Sequence, residues 1–163
     1  MIGEIRDKET AQMSIRASIT GHKVYSTLHC KSPREVYLRL INMGIDPNLL
    51  SEALVGGISQ RLIKTLCNNC KLIDEEHRYK DRVLFKKHGC KICNHTGYIN
   101  RRLVSSVYYL NNSNKKSIKE IYEDKKYLSN ESMKYELEDL LIKGEIPYND
   151  YLNFLEGENL NEL

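Results

Sequence analysis

Four of the five cysteines fall into two pairs, Cys67/Cys70 and Cys90/Cys93, with nineteen residues between the pairs. Each C-x-x-C turn can aim two thiolates at one ion, and two such turns complete a tetrahedron of sulfur, the arrangement of zinc ribbons. A shell of four cysteines leaves no open position, so the spacing predicts a structural rather than a catalytic zinc. The segment between the pairs, with Asp74-Glu75-Glu76 and the charged residues 78–82, reads as too polar to fold alone, and the metal would close it. The plainer reading is four ordinary buried thiols. Cys30 stands outside the pattern as a free thiol, and His95, two residues after Cys93, is an alternative ligand.

A chain of 163 residues makes one domain or two small ones. A net charge of +3 does not demand a nucleic-acid partner. The charge is uneven, however. Residues 67–110 hold nine Lys/Arg against four Asp/Glu, and residues 111–163 hold seven against twelve. A basic middle and an acidic tail favour charge-complementary packing or partner contacts. Residues 1–7 show no basic stretch followed by an apolar run, and no window approaches the ~20 apolar residues that span a bilayer. These features predict a cytoplasmic or peripherally attached protein, and paired cysteines suit a metal site in a reducing compartment better than disulfides.

Residues 1–7 read as the end of a strand. Asp7 is placed to cap a helix whose apolar stripe is Ala11, Ile15 and Ile19, with Gly21 ending it. Residues 23–28 are β-rich. Ser32-Pro33-Arg34-Glu35 is a capping box with proline at the first helical position. Val36, Leu40 and Met43 give the next helix its apolar face, and Gly44 stops it. Another helix is expected from about 46 to 55, and residues 60–66 lead into the first cysteine pair. After the second pair come a turn at Thr96-Gly97-Tyr98, a β-rich run at 103–110, a loop at 111–114, and helices near 115–127, 131–143 and 148–155. Strand, helix, strand, helix, helix in residues 1–66 is part of an α/β sheet with helical crossovers, too little for a whole one.

Glu4 ends an apolar strand, where a carboxylate can activate water beside a bound nucleotide and magnesium. On its own, Gly3-Glu4 equally fits a solvated strand end. His22 and His29 flank the short strand at 23–28. A histidine there can touch a phosphate or serve structure alone.

Taken in order, these segments resemble the secretion ATPases of the GspE/PilB type, the motors of type II secretion and type IV pilus assembly with their competence-pseudopilus relatives. Gly3-Glu4-Ile5-Arg6-Asp7-Lys8-Glu9-Thr10-Ala11 resembles the Walker B region. Thr20-Gly21-His22-Lys23-Val24-Tyr25-Ser26-Thr27-Leu28-His29 is similar to the histidine box. Gln60-Arg61-Leu62, the first cysteine pair, Gly89-Cys90-Lys91-Ile92-Cys93-Asn94-His95-Thr96-Gly97-Tyr98 and Leu140-Leu141-Ile142-Lys143-Gly144-Glu145-Ile146 continue in the family's order.

The resemblance implies the C-terminal portion of a RecA-like P-loop ATPase domain: an α/β fold with a partial sheet, a four-cysteine zinc subdomain and a helical tail. The implied divisions are 1–66 for the partial ATPase core, 67–98 for the zinc subdomain and 99–163 for the β-run and C-terminal helices. It implies a homo-hexameric motor at the inner face of the membrane, working with inner-membrane platform and assembly proteins. Glu4 becomes the catalytic carboxylate, His22 and His29 nucleotide-proximal groups, with His29 the better γ-phosphate sensor, and Cys67, Cys70, Cys90 and Cys93 the metal ligands. Arg6 and Asp7 match the motif without a direct chemical role. ATP and magnesium belong to the complete parent protein.

Two local departures stand out. Cys30-Lys31 replaces the family's usual Thr-Asn, and Asn100-Arg101 its usual Gly-Arg. A larger one is that no G-x-x-x-x-G-K-[S/T] phosphate loop occurs in the 163 residues. Met1 falls where the Walker B strand usually continues upstream. The expectation is therefore a fragment, inactive by itself, with apolar surface around Ile2, Ile5, Val24 and Leu28 left uncovered. Two alternatives come from other classes. One is a zinc-stabilised interaction module docking on a secretion or pilus platform. The other is a zinc-ribbon nucleic-acid binder, for which Tyr79 and Tyr98 are the nearby aromatics.

Overall fold

A computed structural model of the chain describes residues 1–30, 32–109 and 131–157. The expected loop at 111–114 and helix at 115–127 lie outside the described residues. The described residues form two compact units. One holds 1–59 and 106–109, the other 60–105 and 131–157.

The first unit is built on three capped helices. In α1 (Lys8–Ile19) the Asp7 carboxylate accepts from the Thr10 N–H at 2.8 Å, satisfying a donor of the first turn. Ala11 and Ile15 are buried on its inner face, whereas Ile19 is 45% exposed, so the apolar stripe runs out in the last turn. In α2 (Pro33–Asn42) Ser32 is the cap and proline takes the first turn, where its missing N–H costs nothing. In α3 (Pro47–Ala53) the Asp46 carboxylate accepts from the N–H groups of Asn48 and Leu49, and the chain turns extended at Leu54, short of the expected Val55. Tyr37, Leu40 and Leu50 close the core between these helices.

The expected strands of this unit are shorter than the sequence suggested. Residues 1–7 and 23–28 pair through one parallel bridge, Glu4↔Thr27. Hydrogen bonds run from the Ile2 N–H to the Tyr25 carbonyl at 2.9 Å and from the Ile5 N–H to the Thr27 carbonyl at 3.0 Å. Among the described residues no further strand joins this bridge. The expected bare apolar surface is also corrected. Ile5 is only 5% exposed, packed into the helical core with Leu28 against its edge, and Ile2 and Val24 are half-buried.

Strands β1 (Gly56–Leu66) and β4 (Tyr98–Tyr109) pair as a two-stranded sheet. At one end a Cβ on Gly56 would lie 2.2 Å from the Tyr108 carbonyl oxygen. At the other the Cys67 N–H donates to the Gly97 carbonyl at 2.8 Å, so the strands run antiparallel.

In the second unit, β2 (Leu72–Tyr79) and β3 (Arg82–Lys86) form an antiparallel hairpin in the segment expected to be a polar loop. The turn residues Lys80 and Asp81 have φ of 49° and 58°. That is the two-residue turn whose twist matches a hairpin, built here without glycine. The register shifts between Asp74 and Arg78, and the acidic run lies in this bulge. Asp74 there accepts from the N–H groups of Glu76 and His77. Leu84 is fully buried against Met133, Leu137 and Leu141 of α4 (Glu131–Ile142) and against Tyr151 and Leu155 of α5 (Tyr148–Gly157). Each such aliphatic side chain contributes about 1.5–3 kcal/mol.

Candidate functional site

The cysteine cluster lies in the second unit, built on two tight turns. In the first turn the N–H groups of Cys70 and Lys71 both donate to the Cys67 carbonyl, at 3.1 and 2.9 Å. In the second a single 3₁₀ turn, Lys91–Cys93, is followed by Asn94 and His95 at φ of 50° and 61°. The left-handed pair swings the chain back so that the His95 N–H reaches the Cys90 carbonyl at 2.8 Å.

These turns bring all four sulfurs within 4.8 Å of one another. Cys67–Cys90 is 4.0 Å, Cys70–Cys93 3.8 Å and Cys90–Cys93 3.8 Å. A tetrahedral zinc with bonds of about 2.3 Å sets its sulfurs roughly 3.8 Å apart, whereas a disulfide needs about 2.05 Å. The cluster therefore fits a four-coordinate soft metal ion and does not fit a pair of disulfides. His95 is not part of it.

Electrostatics point the same way. Burial pushes the Cys70 thiol up to about 12, against the pull of the Gly89 N–H. Burial presses on Cys93 as well, but the N–H groups of Cys90 at 3.2 Å and Gly97 at 3.3 Å outweigh it and bring this thiol down to about 6. The backbone N–H of Cys93 lowers Cys90 against its own burial. Four half-buried or buried thiols cannot all ionise side by side without a cation to share them.

A second constellation lies in the first unit. Glu4 has both carboxylate oxygens engaged. Oε1 lies 3.0 Å from His29 Nε2 and Oε2 lies 2.6 Å from Arg6 Nη2. The parallel bridge Glu4↔Thr27 brings the end of one extended segment beside the end of the other, which is why residues 25 apart in sequence meet. Arg39, from α2, donates to the His29 carbonyl at 3.2 Å. The Arg6 hydrogen bond holds Glu4 below the usual carboxylate range against partial burial, and the charges of Arg6, His29 and Arg39 act in the same direction. His22 does not join this group. It is exposed, its Nδ1 3.3 Å from the Thr20 hydroxyl.

Two arginines join this constellation beyond the residues expected there: Arg6, matched to the motif without a direct chemical role, and Arg39, not named from the sequence. Arg6 sits two residues after Glu4, and in an extended chain positions i and i+2 share a face, so the signal was present. Arg39 is ten residues from His29 on a helix, and nothing in the sequence announces that contact.

Residues 1–146 match the family described as Type II/IV secretion system protein. The chain belongs to the type II/IV secretion system protein family. It is 45% identical over 111 residues to the type II secretion system ATPase E of Vibrio cholerae, covering 62% of this chain and 22% of that one. It is 39% identical over 128 residues to the type II secretion system protein E of Aeromonas hydrophila, covering 72% and 26%. Against the type IV pilus assembly ATPase PilB of Thermus thermophilus it is 34% identical over 158 residues, covering 88% and 18%. The chain thus spans about a quarter or less of the relatives it matches.

Among solved structures, the pilus retraction motor PilT with bound ADP superposes with a TM-score of 0.59 at 21% identity, over 93% of this chain and 37% of that one. The ATPase DotB of Yersinia pseudotuberculosis gives 0.58 at 17% identity, over 93% and 35%. At these identities the likeness is one of fold alone, an α/β fold shared with these two proteins. Among the described residues no helix is long and apolar enough to cross a membrane.

Proposed function

We propose that this chain serves as the C-terminal part of an ATP-hydrolysing motor for type II secretion or type IV pilus assembly, with Glu4 and His29 at the nucleotide and the four cysteines around a structural zinc. The observation that carries the reading is the Glu4–His29 contact at 3.0 Å, within a family whose named relatives are secretion and pilus ATPases. In this reading residues 1–66 belong to the ATPase core, 67–98 to the zinc subdomain and 99–163 to the tail. The motor is a homo-hexamer at the cytoplasmic face of the membrane, acting with platform and assembly proteins and not with nucleic acid.

When bound, ATP and magnesium supply the scissile phosphoanhydride and neutralise its charge. This chain's residues then orient and poise. Glu4, held ionised by Arg6, is a weak base but a good hydrogen-bond acceptor, which suits it to aligning a water rather than stripping it early of its proton. His29 is exposed beyond the carboxylate and can exchange Glu4 for a phosphate oxygen, so contact with a γ-phosphate would also free one oxygen of Glu4. His22 stands further along the same segment as an outer phosphate contact. The phosphate-gripping loop is not among the 163 residues, so these residues by themselves are proposed to be inactive.

The test is a chimaera in which residues 1–146 replace the matching segment of the Vibrio cholerae ATPase E. ATP turnover in the chimaera, falling at least ~100-fold on Glu4→Gln and also on His29→Ala, is the expected result, a loss of roughly 2.7 kcal/mol of transition-state stabilisation. Turnover unaffected by Glu4→Gln overturns the assignment of Glu4, and turnover by the 163-residue chain alone overturns only the reading that it is inactive by itself.

A further inference from the structure

The two cysteine turns exchange hydrogen-bond donors. The Gly89 N–H, at the entrance to the second turn, donates to Cys70 Sγ of the first at 3.3 Å. In return Asn69 Nδ2, from the first turn, donates to Cys90 Sγ of the second at 3.5 Å. Among the described residues the other donors to these sulfurs are backbone N–H groups and neighbouring thiols, so Asn69 is the side chain that substitution can remove. The equivalent position of the second turn is Ile92, apolar and 62% exposed, which offers no donor in exchange.

The chemistry at this position is specific. A thiolate repels an amide oxygen and attracts an amide N–H, so only the nitrogen end of Asn69 can face Cys90. Cys90 is one of the two half-buried cysteines of the cluster and Asn69 is exposed, so their contact lies on a side of the cluster that water and competing ligands approach. The two hydrogen bonds inside the first turn, from Cys70 and Lys71 to the Cys67 carbonyl, involve only backbone, so the turn does not need the amide to form.

We infer that Asn69 is a positioning residue of the metal centre, whose amide N–H holds Cys90 in ligand geometry and slows metal loss from the open side of the cluster. This rests on the reading of the four cysteines as a zinc site. Hydrogen-bonded partners behind the ligands typically account for ~10–100-fold of metal affinity. A hydrogen bond to sulfur also draws density from its lone pairs, so losing it raises their energy and lowers the energy of sulfur-to-metal charge transfer.

The experiment uses the full 163-residue chain and three proteins: wild type, Asn69→Ala and the isosteric Asn69→Asp. Zinc affinity and release rate are measured against a chromophoric chelator, and cobalt(II) is titrated to read the thiolate charge-transfer band. The expected result is tetrahedral cobalt binding by wild type, zinc affinity ~10-fold or more weaker in Asn69→Ala, and weaker still in Asn69→Asp, where a carboxylate faces the thiolate. Release accelerates in the same order, and the charge-transfer band of both variants moves to longer wavelength. Equal affinities in all three proteins overturn the inference while leaving the zinc site standing. Equal weakening in the alanine and aspartate variants with an unmoved band also overturns it, because it assigns Asn69 to turn packing. Failure of wild type to bind either metal removes the zinc reading itself.

Discussion

Glu4 and His29 meet at 3.0 Å across a single parallel bridge, with Arg6 closing on the other carboxylate oxygen at 2.6 Å. The Arg6 hydrogen bond is the largest influence on Glu4 and the His29 charge a smaller one. Because the folded carboxyl lies below its ordinary value of 4.5, this pairing stabilises the fold above that range. The stabilisation is lost as pH falls through the lowered pKa. A carboxyl-detected NMR titration should therefore show the Glu4 midpoint rising in Arg6→Ala and rising less in His29→Ala. An unchanged midpoint in Arg6→Ala would sink the description of this pair.

If the cysteine cluster holds zinc as proposed, chelation should act on one set of amides and spare another. The N–H groups of Gly89, Cys90 and Gly97 are tied to cluster sulfurs, so chelation frees them from ligand geometry. The Ala11 N–H belongs to α1, capped by Asp7 and packed in the other unit's own core. With excess chelator, hydrogen exchange should accelerate at the first three amides and stay slow at Ala11 and Ile15. Cys67→Ser should reproduce the pattern without chelator. Unaltered exchange at Cys90 and Gly97 would mean that the turns hold without metal.

What the sequence disclosed depended on how local the cause was. Asp7, Ser32 and Asp46 each cap a helix, because a side-chain oxygen and the free N–H groups of the first turn lie within three residues of one another. The four cysteines were legible for the same reason, two short turns and one repeated spacing. The β2/β3 hairpin was hidden because its turn, Lys80-Asp81, lacks the Asn-Gly or Gly that marks such turns. The bulge after Asp74 also interrupts the alternation along β2, where Leu72 and Ile73 are exposed and the buried position is the polar Asp74. Strand β1 read only as a lead-in because Ile58 and Leu62 face outward on it, so burial leaves no clean signature. The Glu4–His29 contact depends on two distant segments pairing, which residue types alone do not reveal. Asn69 looked like any turn asparagine, since its partner is 21 residues away.

Tyr79 and Glu138 tie the hairpin to α4. The Tyr79 hydroxyl donates to Glu138 Oε1 at 2.6 Å, and Lys80 Nζ lies 2.9 Å from Oε2. Burial works to raise Glu138, but Tyr79 and Lys80 outweigh it and hold it below its ordinary range. Tyr79→Phe removes a hydrogen bond to a charged group and should cost about 1.5–3 kcal/mol in urea unfolding at neutral pH. A lowered carboxyl stabilises only while ionised. The gap between wild type and variant should therefore narrow as pH falls through the Glu138 pKa. A gap that stays constant into acid would assign the loss to packing.

Gly144 is where α4 stops, and two separate constraints require glycine there. Its φ is +66°, and a Cβ would sit 2.4 Å from Cδ2 of Phe85 on β3. The Gly144 N–H donates to the Leu141 carbonyl and that of Glu145 to the Leu140 carbonyl, the left-handed ending that satisfies the last carbonyls of a helix. The Gly144 carbonyl in turn accepts from Lys71 Nζ at 2.8 Å, and that ammonium lies 4.6 Å from the centre of the Phe85 ring. Lys71 directly follows Cys70, so the helix end, the hairpin and the first cysteine turn are held at one point. Gly144→Ala should cost about 1–3 kcal/mol from backbone conformation and from displacing Phe85. Adding Phe85→Leu should recover only the steric part, because the φ penalty is independent of the ring. Lys71→Ala should loosen the first turn and leave α4 intact, read as faster exchange at the Cys70 amide with unchanged exchange at Leu141. If Gly144→Ala melts with the wild type, the left-handed helix end and the ring contact are both wrong.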